Sequence, residues 1–310
     1  MQGGGTAQGT GPRQASDASS SGATGYATGV ACVLGGAFCA SLAGVIVRGT
    51  VVADAWQILT IRALSFGLVL LVYLAFAYGR ELPARFMAIG LPGLVASLML
   101  AVSFVAYVVA LRLTTVADTI LIISASPMVA ALLGRAFLGE AVGRRTWIAM
   151  AVALAGVAVM LTSGLLGGTL LGSMVALLCC LCYAGMIVAL RAGRATDMTP
   201  AACLAGFLAL VVCVPAAGSF DLPARDWALG IALGAVQLGL QMILTVRGAR
   251  AVPAAQVMLL LMIEIVLAPL WVWLAFGEEP GTWSLAGGAI VVAAILWNAL
   301  GGRRGAASAA

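Results

Sequence analysis

The 310-residue sequence contains no lysine and no histidine, and only 9% of it is charged. Without lysine there is no phosphate-binding loop of the G-x-x-x-x-G-K-[ST] kind, which excludes that form of ATP hydrolysis, and no retinal Schiff base. Without histidine there are no His metal sites, no His-ligated haem and no Ser-His proteolytic pair. The seven cysteines do not replace them. Cys32, Cys39, Cys179, Cys180, Cys182, Cys203 and Cys213 all lie inside apolar runs, where a small soft side chain packs and an oxidised loop framework is not expected. Cys179, Cys180 and Cys182 lack neighbouring ligands and read as packing. No metal and no cofactor is expected.

Hydrophobic residues fill 63% of the chain, against about 45 to 50% in a soluble domain. No water-soluble fold buries that much apolar surface, so the lipid bilayer is the first expected partner. Ten spans are expected, at 26–47, 56–78, 87–111, 117–138, 145–163, 169–190, 199–218, 227–246, 254–276 and 283–300. The joints carry charge, Gly and Pro, as in Gly79-Arg80-Glu81-Leu82-Pro83 and Glu278-Glu279-Pro280-Gly281, and none has room for a soluble domain. Residues 1–25, rich in Gly, Ser, Thr and Ala, are expected to be a disordered tail, with a second tail at 301–310. The first apolar run starts near Tyr26 and is long enough to span, unlike a cleaved signal peptide.

All 16 basic residues are Arg, and their distribution orients the chain. With the N-terminus in the cytoplasm, Arg13, Arg80, Arg85, Arg135, Arg144, Arg145, Arg191, Arg194, Arg247, Arg250, Arg303 and Arg304 fall inside, and Arg48, Arg112 and Arg225 fall outside. Both termini are then cytoplasmic. The net charge of +5 is a topology signal, and no nucleic-acid partner is implied.

Residues 110–140 align with 248–278 without a gap at an offset of 138, sharing seven of 31 positions. Arg112 matches Arg250, and Gly139-Glu140 match Gly277-Glu278. Five spans per half is an odd number, so the second half enters the membrane upside down. The expected fold is an all-α integral membrane protein of ten transmembrane helices in two inverted five-helix repeats, 26–163 and 169–300, joined by a linker at 164–168. The first and sixth spans, AFCASLAGVIVR at 37–48 and CLCYAGMIVALR at 180–191, are rich in small residues and suit helix–helix contact.

The stretch YVVALRLTTVADTILIISASPMVAALLGRAFLGE, with its weaker copy ending WVWLAFGE, resembles EamA-type members of the drug/metabolite transporter superfamily. Arg62, in WQILTIRALSFGLVLL, matches an Arg that often opens the second helix of such proteins. The resemblance covers about residues 26–300 and implies ten helices in two inverted repeats and export of small metabolites. One departure is Glu264-Ile265, where the family often has Glu-Pro; Ser126-Pro127 is intact.

Glu264 lies near the middle of the ninth span, where a carboxylate is costly unless it faces water or a partner. A proton taken up and released as a cavity opens to either side is one role for it; a structural carboxyl bonded to a neighbouring helix is the other. Ser126 is its repeat counterpart, and Asp118 corresponds to Gln256, so both helices carry polar groups at the same two registers. Arg62 sits about two turns into the second span and suits a carboxylate or phosphate, or a fixed pair with Asp54, Asp118 or Glu264. Gln237 and Gln241, at i and i+4, share a helical face. Tyr107, Tyr183, Ser103 and Trp56 are further cavity candidates, and Pro127 and Pro269 can kink their helices.

The function expected is a secondary-active exporter of small polar or amphipathic metabolites, coupled to protons through Glu264. The alternatives are an uncoupled facilitator or exchanger, and a membrane enzyme acting on lipid intermediates. The enzyme would want Asp, His or Lys clustered at one interface, which the sequence lacks. A monomer or homodimer in a bacterial cytoplasmic (inner) membrane is expected, since Arg-only basicity with abundant Ala and Gly suggests a GC-rich genome.

Overall fold

The computed structural model describes residues 12–50, 54–114, 116–161, 169–277 and 282–308, and among these no strand occurs. The first half comprises α1 (Pro12–Ser41), α2 (Ala43–Arg48), α3 (Ala55–Tyr78), α4 (Leu82–Ala88), α5 (Gly90–Leu113), α6 (Val116–Ile123), α7 (Ser126–Leu138) and α8 (Arg144–Met160). The second comprises α9 (Leu170–Ala192), α10 (Thr199–Ala217), α11 (Ala224–Ala232), a π-helical segment (Leu233–Leu240), α12 (Gln241–Ala249), α13 (Ala254–Leu261), α14 (Ile263–Phe276) and α15 (Thr282–Ser308).

Eight stretches among the described residues, from Gly25–Val47 to Ala254–Phe276, are long and apolar enough to cross a membrane. The fifth and tenth expected spans coincide with α8, of 17 residues, and with the shorter apolar stretch Leu285–Asn298 of α15. These two pack against each other. Residues 12–25 and 301–308, expected as tails, instead continue the first and last helices. Once an apolar span has nucleated a helix, each flanking residue adds a hydrogen bond at little cost, and Pro12 suits a first helical position. The expected linker 164–168 and the joint Glu278-Glu279-Pro280-Gly281 lie outside the described residues.

The most extensive helix contacts all join one half to the other: α5 with α9, α8 with α15, α3 with α10, α1 with α12. Glycines permit this closeness. A Cβ on Gly206 would lie 3.0 Å from the Gly67 Cα, one on Gly156 2.9 Å from the Gly287 carbonyl oxygen, and one on Gly248 2.8 Å from that of Gly29. The repeats are therefore interleaved and do not form separate bodies. Exchanging the halves preserves the neighbours: α5 packs on α9 as α12 packs on α1, and α6 and α7 meet α9 as α13 and α14 meet α1. The outer faces carry exposed Phe76, Met87, Phe137 and Leu170, a surface suited to lipid.

The two aligned spans are both interrupted. The first breaks at Ser124-Ala125 and the second at Met262, bridged by short bonds from the Ala125 N–H to the Ile122 carbonyl and from the Met262 N–H to the Leu259 carbonyl. Both then end on a left-handed glycine, Gly139 at φ 66° and Gly277 at φ 71°. Pro127 falls in the first turn of α7, where a missing N–H costs little. The second break has no proline, since Pro269 lies inside α14.

Polar bonds gather the joints into two sets. In one, Arg191 pairs with Glu140 and donates to the Ala249 carbonyl at 3.0 Å, Glu140 also accepts from the Ala254 N–H, and Arg250 reaches Asp197 at 3.4 Å. Asp197 accepts from the Tyr78 hydroxyl at 2.7 Å and the Thr199 hydroxyl at 2.7 Å. In the other, Arg112 binds Asp54 at 2.6 Å and Gln57 donates to the Ser219 carbonyl. Arg191 is buried, whereas Arg112 and Asp54 are about half exposed.

Candidate functional site

Arg62 stands on the inner face of α3 between Ile61, which is buried, and the α3 contact with the π-helical segment. Gly234 of that segment fits where a Cβ would collide with the Ser65 hydroxyl and the Arg62 carbonyl. Only glycine lets α3 approach so closely, so Gly234 fixes where Arg62 stands. The Arg62 guanidinium carbon lies 5.7 Å from the Phe104 ring centroid, and Phe104 meets Phe66 edge-on at 5.7 Å.

The same guanidinium interacts electrostatically with Tyr107, Glu264 and Tyr183. Glu264 occupies the first turn of α14, just past the break at Met262. It is partly accessible. Arg62 and Glu264 act on each other, but among the described residues neither forms an ion pair or a protein hydrogen bond, and the Arg62 Nε is buried without a partner. Tyr183, on α9, meets the Gln241 side chain. The group thus draws Arg62, Phe104 and Tyr107 from the first half and Tyr183, Gln241 and Glu264 from the second.

The other sequence candidates bond elsewhere. Ser126 donates to the Ile123 carbonyl of its own chain segment and lies 3.4 Å from the Cys180 sulfur. Gln256 accepts from the Tyr26 hydroxyl at 2.8 Å, and Asp118 accepts from the Thr114 hydroxyl at 3.3 Å. Ser103 faces Cys179, and Trp56 lies under Arg112. Gln237 and Gln241 are both buried against α1, where Gln237 donates to the Ala40 carbonyl at 3.3 Å and Gln241 lies beside Gly36, one turn earlier. Phe104 was not singled out by sequence; its place three residues before Tyr107, on the same helical face, is the signal that marks it.

A profile of the EamA-like transporter family matches residues 27–162 and again 170–300. The chain belongs to the EamA-like transporter family. Its members are transporters, and with its apolar helices the protein is a multi-pass membrane transporter. The pseudopaline exporter CntI of Pseudomonas aeruginosa (strain UCBPP-PA14) is 31% identical over 208 residues, which make up 66% of this chain and 72% of that protein. A solved crystal structure, 19% identical, superposes with a TM-score of 0.78 over 90% of this chain and 99% of the other, and has the same fold.

Proposed function

We propose that the protein is a secondary-active exporter of small polar or amphipathic metabolites, coupled to protons through Glu264, in a bacterial cytoplasmic membrane. The observation that carries this reading is that Arg62 and Glu264, two ionisable groups from opposite halves, act on each other inside the bundle, with the Arg62 Nε buried and without a hydrogen-bond partner. Ionisable groups inside a membrane bundle are costly and are retained for ligands, ions or protons. A site at the junction of two repeats is where transporters of this architecture bind cargo. Export is the direction in the named relative.

On this reading α8 and α15 complete ten spans, and the halves are inverted with both termini cytoplasmic. The two sets of bonds support the alternation, because Glu140 meets Arg191 and Asp197 meets Arg250 at the ends expected inside, while Gln57 meets Ser219 and Asp54 meets Arg112 at the ends expected outside. Alternating access then opens the cavity to one set at a time, and Glu264 exchanges its proton with the side it faces.

The test is transport into proteoliposomes under an imposed pH difference. Wild-type protein accumulates cargo against its gradient, and Glu264→Gln, which keeps size and hydrogen bonding, equilibrates it without accumulation. Undiminished accumulation by Glu264→Gln would remove the proton role and leave facilitated exchange as the account.

A further inference from the structure

We propose that α2 and α14 form one flap over the end of the bundle that carries the Arg112–Asp54 pair, hinged at Leu42 and Met262 and latched to α1 by the Trp271 indole. This rests on the transport reading above, in which one end opens at a time, and names what moves. The first span breaks at Leu42 much as the aligned spans break at Ala125 and Met262, with the Leu42 N–H bonded three residues back to the Cys39 carbonyl at 3.3 Å. Packing changes at both hinges. Ahead of the first, Val33, Ala37, Cys39, Ala40 and Ser41 are buried, and from 42 to 47 no residue is. Ahead of the second, every residue of α13 except Gln256 is buried, and in α14 none is. A firmly packed helix that continues across one residue into a loosely packed one has the form of a hinge. The two loose segments lie on each other: a Cβ on Gly44 would stand 4.0 Å from the Ala268 Cβ and 3.5 Å from a Val272 methyl. Beyond α2 the chain reaches Asp54, which caps α3 and binds Arg112, and this sets the flap at that end.

A helix break frees carbonyls, and inside a bundle each needs a donor. The Ser41 hydroxyl donates to the Phe38 carbonyl at 2.6 Å, and the Gln237 amide to the Ala40 carbonyl at 3.3 Å. The Trp271 Nε1–H in turn donates to the Ser41 hydroxyl at 2.8 Å, and its ring meets Phe38 edge-on at 5.4 Å. Ser41 therefore both closes the break in α1 and receives the hydrogen bond that α14 sends from the other half. Letting the flap go gives up that bond and the ring contact, while α1 and α13 stay packed. Glu264, in the first turn of α14, travels with the flap.

The experiment measures distances between paired spin labels in the full chain, freed of its native cysteines and reconstituted in lipid. Leu170→Cys with Leu274→Cys reports flap against body, and Leu170→Cys with Val211→Cys reports body against body; all three side chains are exposed. The body pair should give one narrow distance. The flap pair should give two, or gain the second in Trp271→Phe, which keeps a ring against Phe38 but has no N–H to donate. Loss of one hydrogen bond should lower the latched population about fivefold, Ser41→Ala should do the same, and the two together should do no more than either alone. A flap pair as narrow as the body pair and unmoved by Trp271→Phe would overturn the flap, and two distances indifferent to Trp271→Phe and Ser41→Ala would overturn the latch. Separately, Gly44→Cys with Ala268→Cys should close a disulfide under mild oxidant, since their Cβ atoms are within its reach; failure to close would overturn the single flap. No cargo enters these measurements, so the flap can fail while the transport reading stands.

Discussion

The two interrupted helices, α6–α7 and α13–α14, break at the same register and end on the same left-handed glycine, yet they are packed in opposite ways. In α7, Ser126, Pro127, Ala130, Ala131 and Gly134 are buried, and Glu140 just beyond it is clamped by Arg191. In α14 no residue is buried, and Glu264 stands where Ser126 stands in the first copy. Duplication supplied one backbone twice. Packing made one copy a strut and left the other partly accessible, with a carboxylate on it.

The sharpest way to break this contrast is to cut the clamp on the strut. Arg191→Ala leaves the partly buried Glu140 with the Ala254 N–H as its remaining partner and should cost about 3 kcal/mol, read as a fall in thermal unfolding midpoint in detergent. Bulk at the break comes next. Ser126→Leu should cost about 1 to 3 kcal/mol by overpacking against Cys180, whereas Glu264→Leu should keep its stability and lose transport.

The approach to α13 is held by Asp197, which meets Arg250 just before that helix. Burial alone would raise the Asp197 carboxyl, but hydrogen bonds from Thr199 and Tyr78 and the Arg250 charge outweigh it and hold it below its ordinary value. A depressed carboxylate stabilises the fold fully above its unfolded value near 3.9, and that stabilisation is lost as pH falls through the folded value. Unfolding midpoints should therefore drop more for wild type than for Asp197→Asn between about pH 7 and about pH 3. The smallest effect belongs to the exposed pair. Arg112→Ala should cost about 0 to 1 kcal/mol, and a loss as large as that of Arg191→Ala would erase the difference between the two sets of joints.

Eight apolar spans and the duplication were legible, because apolar length and the Arg and Gly-Glu fences need no tertiary information. The breaks were only half legible. Ser126-Pro127 announces a helix start, but LLLMIEIVL contains no breaker, and the interruption at Met262 follows from packing against α1 and α9. The π-helical segment left no signal either. Arg62, Tyr107, Tyr183, Gln241 and Glu264 stood out as polar groups inside apolar runs. Asp118, Gln256 and Ser126 shared the same signal but bond elsewhere, because register in a repeat says nothing about which neighbour a helix turns towards.

The central claim, one break accessible and its twin closed, is tested most directly by thiol accessibility. In a background without the native cysteines, Glu264→Cys and Ser126→Cys are each exposed to a membrane-impermeant maleimide in sealed vesicles of both orientations. The account predicts labelling at 264 that cargo slows and no labelling at 126. Equal labelling at both positions, or labelling at 126 alone, would contradict it.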